Sequence, residues 1–568
     1  MPEFAAAIPL LDVLKLRRPS ALGQGELVKD NPVRSVARLA DPLQPDGLRL
    51  YVKRYKFPHR STRLKHLILP TQPAREWKAS RALQAAGIHT CDVLAIAVRR
   101  RNLLPREGFL VSREIPDTLG LTNFLRDQLP DLEAQRPGYR AQLIDELAAL
   151  TAAIVDGGFY HHDYHAGNLL IRPQAPAGER IYVVDLHSAR CRRPGRRGLL
   201  RMLGMLALSL PSLSHEDQTT FLRAFLARWE GGPGRPHGRR ASPSDATCAR
   251  WAALVKKAHA GLRRRHLRSR TRRCLVRGTL FTVDTTGAFR VHRRRDFPLD
   301  AALSAVWAHA DAVSGPQSVV KGKAPSGSGA RVLRKGRRTE VTLCLSDAVP
   351  PLDASRPARP AQLTSGRVCV KSFRRDSLLA RCKDALRLSG RARIAWTASH
   401  GFSVRRIAAA RPLALLESRS KLSALPDYLV MEALHTDGSV AALAAGRLPQ
   451  GPARRRLGQA VASLLGQLAQ EEVYHPDTKP GNLLVKETDG QYKLWLVDLD
   501  RAQFATPLTR RRWVKCLTRL NAGLPAQVTV LDRMRCLREC GRGRWSARER
   551  LQIARTVQRL SLRRRGPE

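Results

Sequence analysis

An aspartate, an asparagine five positions later and a second aspartate beyond an apolar strand occur twice in this chain. The first set is Asp163, Asn168 and Asp185; the second is Asp477, Asn482 and Asp498. Hard oxygen donors of this kind suit Mg²⁺, which retains substrate phosphates and waters in its shell. An aspartate left over by the metal can accept the proton of an attacking hydroxyl. A lysine on an early strand, held by a glutamate on the next helix, can hold the α- and β-phosphates of a nucleotide. The first copy offers Lys53 and Glu76 for that pair, Asp163 as base, and Asn168 and Asp185 for metal. The second offers Lys371, Asp477, Asn482 and Asp498, with Lys479 two residues after its aspartate and within reach of a γ-phosphate; His165 occupies that place in the first. The chemistry these residue types could perform is phosphoryl transfer from ATP with Mg²⁺.

Taken singly, each residue has an ordinary structural explanation: a His-x-Asp triplet closes a polar loop, and a strand lysine sits at the surface. His161, His162, His165 and His187 could instead hold zinc, but three of them fall in a loop with Gly167, where His161 already has a positioning role. What lifts the phosphotransfer reading above these is the repeated order.

The two copies keep a nearly constant offset: 314 positions separate Asp163 from Asp477, 313 separate Asp185 from Asp498, and 318 separate Lys53 from Lys371. "AREWKASRAL" around Trp77 answers to "RARIAWTASHGF" around Trp396, and "FLVSRE" to "YLVMEA". The stretches ending at Glu114 and Glu432 are expected to form a hinge whose backbone meets adenine, with these two glutamates as counterparts. Such register over several landmarks means a duplicated domain. In each copy, Val-rich segments such as "LRLYVKRY" and "RVCVKSF" alternate as strands, and helices follow. Leu143, Leu147, Leu150 and Ile154 share one helix face, as do Leu457, Val461, Leu464 and Leu468. Each of these helices runs into the His/Asp loop. The expected fold class is α+β: two bilobal protein-kinase-like domains in tandem, each with a strand-rich N-lobe and a helical C-lobe. Gly, Ser, Pro and Lys dominate around 314–338, which reads as a linker. The expected division is a first domain over 20–312, a linker over 313–338 and a second domain over 339–568, with 231–243 a loop within the first.

The chain has 568 residues and a formal net charge of +52, from 100 Lys and Arg against 48 Asp and Glu. This favours polyanionic partners without choosing among nucleic acid, membrane surface and phosphorylated substrate. The basic residues are spread in short runs, such as "RRRHLRSRTRR" at 263–273, rather than gathered in one tail. Ten scattered cysteines with no CxxC pair exclude a disulfide framework or zinc ribbon and suit a reducing compartment. The N-terminal stretch lacks the basic region of a secretory signal, and no run of 18 apolar residues is present.

Several protein-kinase features are missing. No GxGxxG precedes either lysine, the positions after the second aspartates read "DLH" and "DLD", and a helical pattern resumes near Gly198. This leaves little room for a peptide-docking segment and favours a small or lipid-linked acceptor. The stretches "VRSVARL…GLRLYVKRYKFP", "AREWKASRALQAAGIHT", "YHHDYHAGNLLI" and "VVDLHSAR", with "RVCVKSF", "HPDTKPGNLLV" and "LVDLDRAQF" in the second copy, resemble the lipopolysaccharide core kinases of the Kdo/WaaP type. The resemblance covers about residues 25–225 and 335–530. It implies ATP-dependent phosphorylation of a Kdo or heptose hydroxyl in the lipopolysaccharide inner core. It also implies an anionic glycolipid or sugar acceptor, and peripheral contact with an anionic membrane at the inner face of the cytoplasmic membrane; nucleic acid is not the expected partner. The tandem form departs from the family's simplest members. So does Ala395, which stands where the first copy has Glu76: the second copy is then slow or a regulatory, non-catalytic one, and its other site residues, Asp477 as base among them, are intact and favour activity. The rival readings are a kinase for another small-molecule or protein acceptor, and a kinase-shaped polyanion-binding protein with one or both sites inactive.

Overall fold

The computed structural model describes residues 26–565 apart from 31–32, 42–43, 59, 212, 230–241, 315–329, 337–338, 346–366, 375–389 and 421–423. It divides into two compact units, residues 1–264 and 265–568.

In the first unit, β1 (Glu26–Asp30), β2 (Arg34–Asp41), β3 (Gln44–Lys56), β4 (Val93–Arg101) and β5 (Leu104–Arg113) form an antiparallel sheet in the order β1-β2-β3-β5-β4. Side chains alternate across a strand, so Leu50 and Val52 of β3 join Leu39 and Val111 on one face. Tyr55 packs with Leu110 and Phe57 in a separate cluster, and Lys53 shares its parity. Two helices follow β3: α1 (Arg60–Ile68) and α2 (Gln72–Ala85). Pro73 lies in the first turn of α2, where a missing N–H costs nothing. Gly108 of β5 faces it; a Cβ there would lie 2.8 Å from the Pro73 ring. The glycine thus lets α2 come close to the sheet, and that approach sets the depth of Glu76.

The helical half comprises α3 (Leu121–Asp127), α4 (Leu129–Gln135), α5 (Tyr139–Asp156), α6 (Arg196–Ser209), α7 (His215–Arg228) and α8 (Asp245–Arg272), whose end passes into the second unit. Leu143, Leu147 and Ile154 of α5 are buried at its core, with Leu150 partly so; the apolar spacing read from the sequence is the face that packs. A Ser214–Asp217 capping box starts α7, satisfying end groups a helix leaves unpaired. Between α5 and α6, β7 (Phe159–His161) pairs with β10 (Ala189–Cys191). Likewise β8 (Leu169–Ile171) pairs with β6 (Leu119–Gly120) and β9 (Ile181–Val183). These short ladders frame the loop carrying Asp163 and Asn168.

The second unit begins with β11 (Phe281–Thr286), β12 (Phe289–Arg294) and α9 (Leu299–Ser314). They are followed by β13 (Arg331–Lys335), β14 (Thr339–Leu345), β15 (Arg367–Phe373), α10 (Arg391–Val404), β16 (Pro412–Ser418) and β17 (Asp427–Glu432). The sheet order is β11-β12-β16-β17-β15-β14-β13, which repeats the five-strand order of the first unit and extends it by the β11–β12 hairpin. The hairpin covers α10: Trp396 is fully buried, its ring edge-on to Phe281 and its Nε1 donating to the Cys274 carbonyl at 3.1 Å. Below lie β18 (Gly438–Ser439), α11 (Val440–Gly446), α12 (Gly451–Gln470), β19 (Leu483–Thr488) and β20 (Gln491–Leu496). Next come α13 (Arg510–Ala522), α14 (Val530–Cys540) and α15 (Ala547–Arg565). Leu457, Val461, Leu464 and Leu468 of α12 are all in the core.

This division differs from the expected one. Residues 281–312, assigned by sequence to the first domain, build the second unit's sheet and its flank, because β12 pairs with β16 and Val291, Ala302 and Ala305 pack with Val368 and Val430. Of the expected linker, residues 331–335 form β13, while 315–329 lie outside the described residues, as does most of the 231–243 loop. No helix among the described residues is long and apolar enough to cross a membrane. All nine described cysteines are free thiols.

Candidate active site

Lys53 lies between Val36 of β2 and Leu110 of β5 in the sheet register. Its Nζ meets Glu76 Oε1 of α2 at 2.5 Å, with the Glu76 side chain wholly enclosed. The other oxygen, Oε2, accepts a hydrogen bond from the Tyr55 hydroxyl; Tyr55 is two residues along β3 and therefore on the same face as Lys53. Burial is the largest single influence on the Lys53 ammonium and pulls it down, but the charge and hydrogen bond of Glu76, with Cys91 and Asp185, together outweigh it and leave the lysine above its ordinary value. Burial, reinforced by Glu76, keeps Tyr55 protonated far above the usual phenol range. The sheet thus presents a fixed positive charge over an ordered anion, as holding a polyphosphate requires.

Asp185 follows β9 at φ 63° and ψ 49°, a left-handed conformation unusual for a residue with a side chain. Its carboxylate takes two hydrogen bonds from Arg34 of β2, at 2.6 and 3.0 Å, and lies 2.7 Å from His187 Nδ1. Burial alone would raise this carboxyl, yet the bonds from His187 and Arg34 and the charge of Lys53 hold it well below the carboxylate range. Asn168 donates through Nδ2 to the Asp163 carbonyl at 3.0 Å, and its own carbonyl accepts from the Val184 N–H. The two metal-ligand candidates are therefore coupled through adjacent backbone. The Asp163 carboxylate is 42% exposed, with His162 Nδ1 3.6 Å away. The Asp163 N–H donates to His161 Nδ1 at 3.2 Å. The donor set fits Mg²⁺: Asp185 offers carboxylate oxygens, and Asn168, with its Nδ2 committed to the loop, presents Oδ1. The one three-ligand group among the described residues is Glu76, Asp185 and His187, not the four-histidine cluster. Both Glu76 oxygens are already committed to Lys53 and Tyr55.

The second unit repeats the loop but not the charge pairing. Asn482 donates to the Asp477 carbonyl at 2.9 Å, and the Asp477 N–H to His475 Nδ1 at 3.2 Å. Asp498 has φ 63° and ψ 52°, matching Asp185. Ala395 of α10 is buried where Glu76 stands on α2, and Lys371 turns instead to Asp498, with Nζ to Oδ1 at 2.5 Å. Burial raises the Asp498 carboxyl, but Lys371 foremost, with Arg334 and Lys479, together hold it below its ordinary value. Asp477 is also occupied: Arg519 of α13 donates to Oδ1 at 2.9 Å, Asn482 to Oδ2 at 3.1 Å, and Lys479 stands 3.6 Å away.

The hinge glutamates need a correction. Lys53 pairs with Leu110 and Lys371 with Leu429, which sets Glu114 against Ala433 and Glu432 against Arg113, one residue off the expected correspondence. The backbone agrees: the N–H groups of Glu114 and Ala433 donate to Arg49 and Arg367. The Glu114 carboxylate binds Arg38 at 2.5 Å, and Glu432 accepts from the Arg411 N–H at 2.9 Å; neither joins the lysine cluster. Sequence reading missed Arg34, Tyr55 and Arg519. The period-two face of β3 could have found Tyr55; Arg34 and Arg519 reach their aspartates across 151 and 42 residues, with no local signal.

His161 gives the first site a pH signature. It is 2% exposed, and burial pushes its pKa down to about 4, more than the nearby Asp163 and Asp185 raise it. Below its ordinary value of about 6.5 the unfolded chain binds a proton that the folded chain refuses until about pH 4. Stability therefore falls as pH drops through that window, by about 3 kcal/mol from this group. His161→Asn keeps an acceptor for the Asp163 N–H and should give a shallower loss of the denaturation midpoint between pH 7 and pH 5.

The model of the lipopolysaccharide kinase (Kdo/WaaP) family matches residues 24–225 and 369–538. The lipopolysaccharide core heptose(I) kinase WaaP of Escherichia coli is 27% identical over 186 residues, which is 30% of this chain and 68% of that protein. Its counterpart from Escherichia coli strain K12 is 26% identical over 185 residues, with the same coverage. A solved structure of WaaP in complex with acyl carrier protein aligns with 44% of this chain and 97% of its own, at 23% identity and a TM-score of 0.31.

Proposed function

Because the chain belongs to the lipopolysaccharide kinase (Kdo/WaaP) family, and with it is an ATP-dependent phosphotransferase, we propose that it phosphorylates a Kdo or heptose hydroxyl of the lipopolysaccharide inner core. The reading comprises two protein-kinase-like units in tandem, with transfer carried by the first. The observation that carries it is the enclosed Lys53–Glu76 pair beside Asp185, together with an Asp163 carboxylate that stays accessible.

In this mechanism Lys53, fixed by Glu76, draws the nucleotide phosphates to the sheet. Asp163 accepts the proton of the sugar hydroxyl as its oxygen bonds to the γ-phosphorus and the bond to the ADP oxygen breaks. Asn168 and Asp185 would hold Mg²⁺, which when bound neutralises charge on the phosphates. Arg34 must release Asp185 for that to occur, and the nearby phosphates offer its guanidinium an alternative partner. The acceptor is anionic and lipid-linked, which suits a chain of net charge +52 working at the inner face of the cytoplasmic membrane.

The second unit is read as auxiliary, on the direct Lys371–Asp498 pair and the Arg519 contact to Asp477. The test is transfer of the γ-phosphate of ATP to purified Kdo–lipid A and to its heptosylated form. Label on either glycolipid supports the reading. Nucleotide binding with no label on either would move the search to other small-molecule or protein acceptors, or to a polyanion-binding role.

A further inference from the structure

Helix α1 of the first unit has an outward face with two unfavourable features side by side. Residues 60, 64, 67 and 68 fall on one side of the helix, away from the buried His66, with Arg63 at the border between the two. Leu64, Leu67 and Ile68 on that side are all exposed, Ile68 by 90%, and Leu69 continues them. Leu103, at the tip of the β4–β5 hairpin, is 77% exposed.

Arginines surround this apolar surface. Arg63 donates to the Phe57 carbonyl at 2.6 Å, and the Phe57 N–H donates to the Arg106 carbonyl, so one backbone unit joins the helix arginines to the hairpin. Arg99, Arg100 and Arg101 lie on the facing strand of that hairpin. The charge of Arg63 foremost, with those of Arg101, Arg60 and Arg99, pulls Arg106 below its ordinary value. Glu107 takes up Arg54 and Arg99, and Arg60, Arg101 and Arg106 have no carboxylate partner among the described residues.

We propose that this face docks the first unit on an anionic lipid bilayer, its leucines and Ile68 entering the headgroup boundary while the arginines bind lipid phosphates. A nucleic acid would compensate the charge and leave the aliphatic stripe in water; an apolar protein groove would do the reverse. An anionic bilayer answers both at once. The choice of a bilayer rests on the glycolipid reading of the first site, and it gives that site a fixed approach to acceptors held in the membrane.

The experiment is co-sedimentation of the full chain with vesicles of phosphatidylcholine alone or with about 30% phosphatidylglycerol, as compositions spanning neutral to anionic surfaces. The charge-neutral pair Leu67→Ser and Ile68→Ser should weaken partition to anionic vesicles about tenfold. Leu551→Ser, at a comparably exposed leucine of α15, should leave it unchanged. Arg63→Gln with Arg106→Gln should weaken it as well and flatten its salt dependence. Unchanged binding by the Leu67/Ile68 variant, or an equal loss in Leu551→Ser, would overturn the proposal. Transfer to a deacylated, water-soluble acceptor separates the two readings. If the Leu67/Ile68 variant keeps that transfer and loses vesicles, docking is supported; if wild type lacks transfer to every core acceptor, the functional reading fails while the vesicle result stands.

Discussion

Asp163→Asn should lower kcat for phosphate transfer by about 10²–10⁴, whereas Asp477→Asn should leave it nearly unchanged. Asparagine keeps the shape of aspartate and cannot take the hydroxyl proton. The loop should survive the change, because Asn168 bonds to the Asp163 backbone carbonyl and His161 to its N–H, neither of which involves the carboxylate. In the second unit the substituted group is the one held by Arg519 and Asn482. Asp477→Asn should therefore show itself in thermal stability rather than in turnover. Steady-state transfer assays on both variants and the double variant decide the matter; activity that survives Asp163→Asn and vanishes with Asp477→Asn would reverse the assignment of the two units.

Glu76→Ala should be costly in two separable ways. The Glu76 side chain has no exposed surface and Lys53 only 13%, so the substitution strands a buried ammonium and removes the acceptor of the Tyr55 hydroxyl. Breaking one side of such a pair costs about 3–5 kcal/mol, and kcat/KM for ATP should fall with the loss of lysine positioning. Replacing the set together, as Lys53→Met, Glu76→Leu and Tyr55→Phe, leaves no uncompensated polar group. That triple variant should recover most of the denaturation midpoint and none of the activity. A triple variant that stayed as unstable as Glu76→Ala would show that the loss lies in packing of α2 against the sheet, not in the stranded charge.

The parts of the site within one local stretch could be read from the sequence. The histidine–aspartate loop, Asn168 and its counterpart Asn482 all lie within eight residues of one another in each unit, and their spacing carries the geometry. Lys53 and Glu76 could be read because only 23 residues and one short helix separate them. The hinge comparison slipped by one residue because residue type was matched at Glu432, while hydrogen-bond register, not type, decides which strand positions correspond. Arg34 reaches Asp185 only after the sheet has closed over the loop, a tertiary contact no pattern encodes. The β11–β12 hairpin falls on the first-domain side of the compositional break at 314–338, but a strand belongs to the sheet that takes its backbone hydrogen bonds, here through β16.

That misplaced hairpin bears on any attempt to separate the two units. A fragment started at residue 339 would lack β11, β12, α9 and β13. The outer N–H and C=O groups of β16, which β12 occupies from Ala414 to Ser418, would be left open to a neighbouring molecule. Trp396, sealed by Phe281 and the Cys274 carbonyl, would face water. Such a fragment should self-associate through its bare strand, while one started at residue 265 keeps the cover and should stay monodisperse in light scattering.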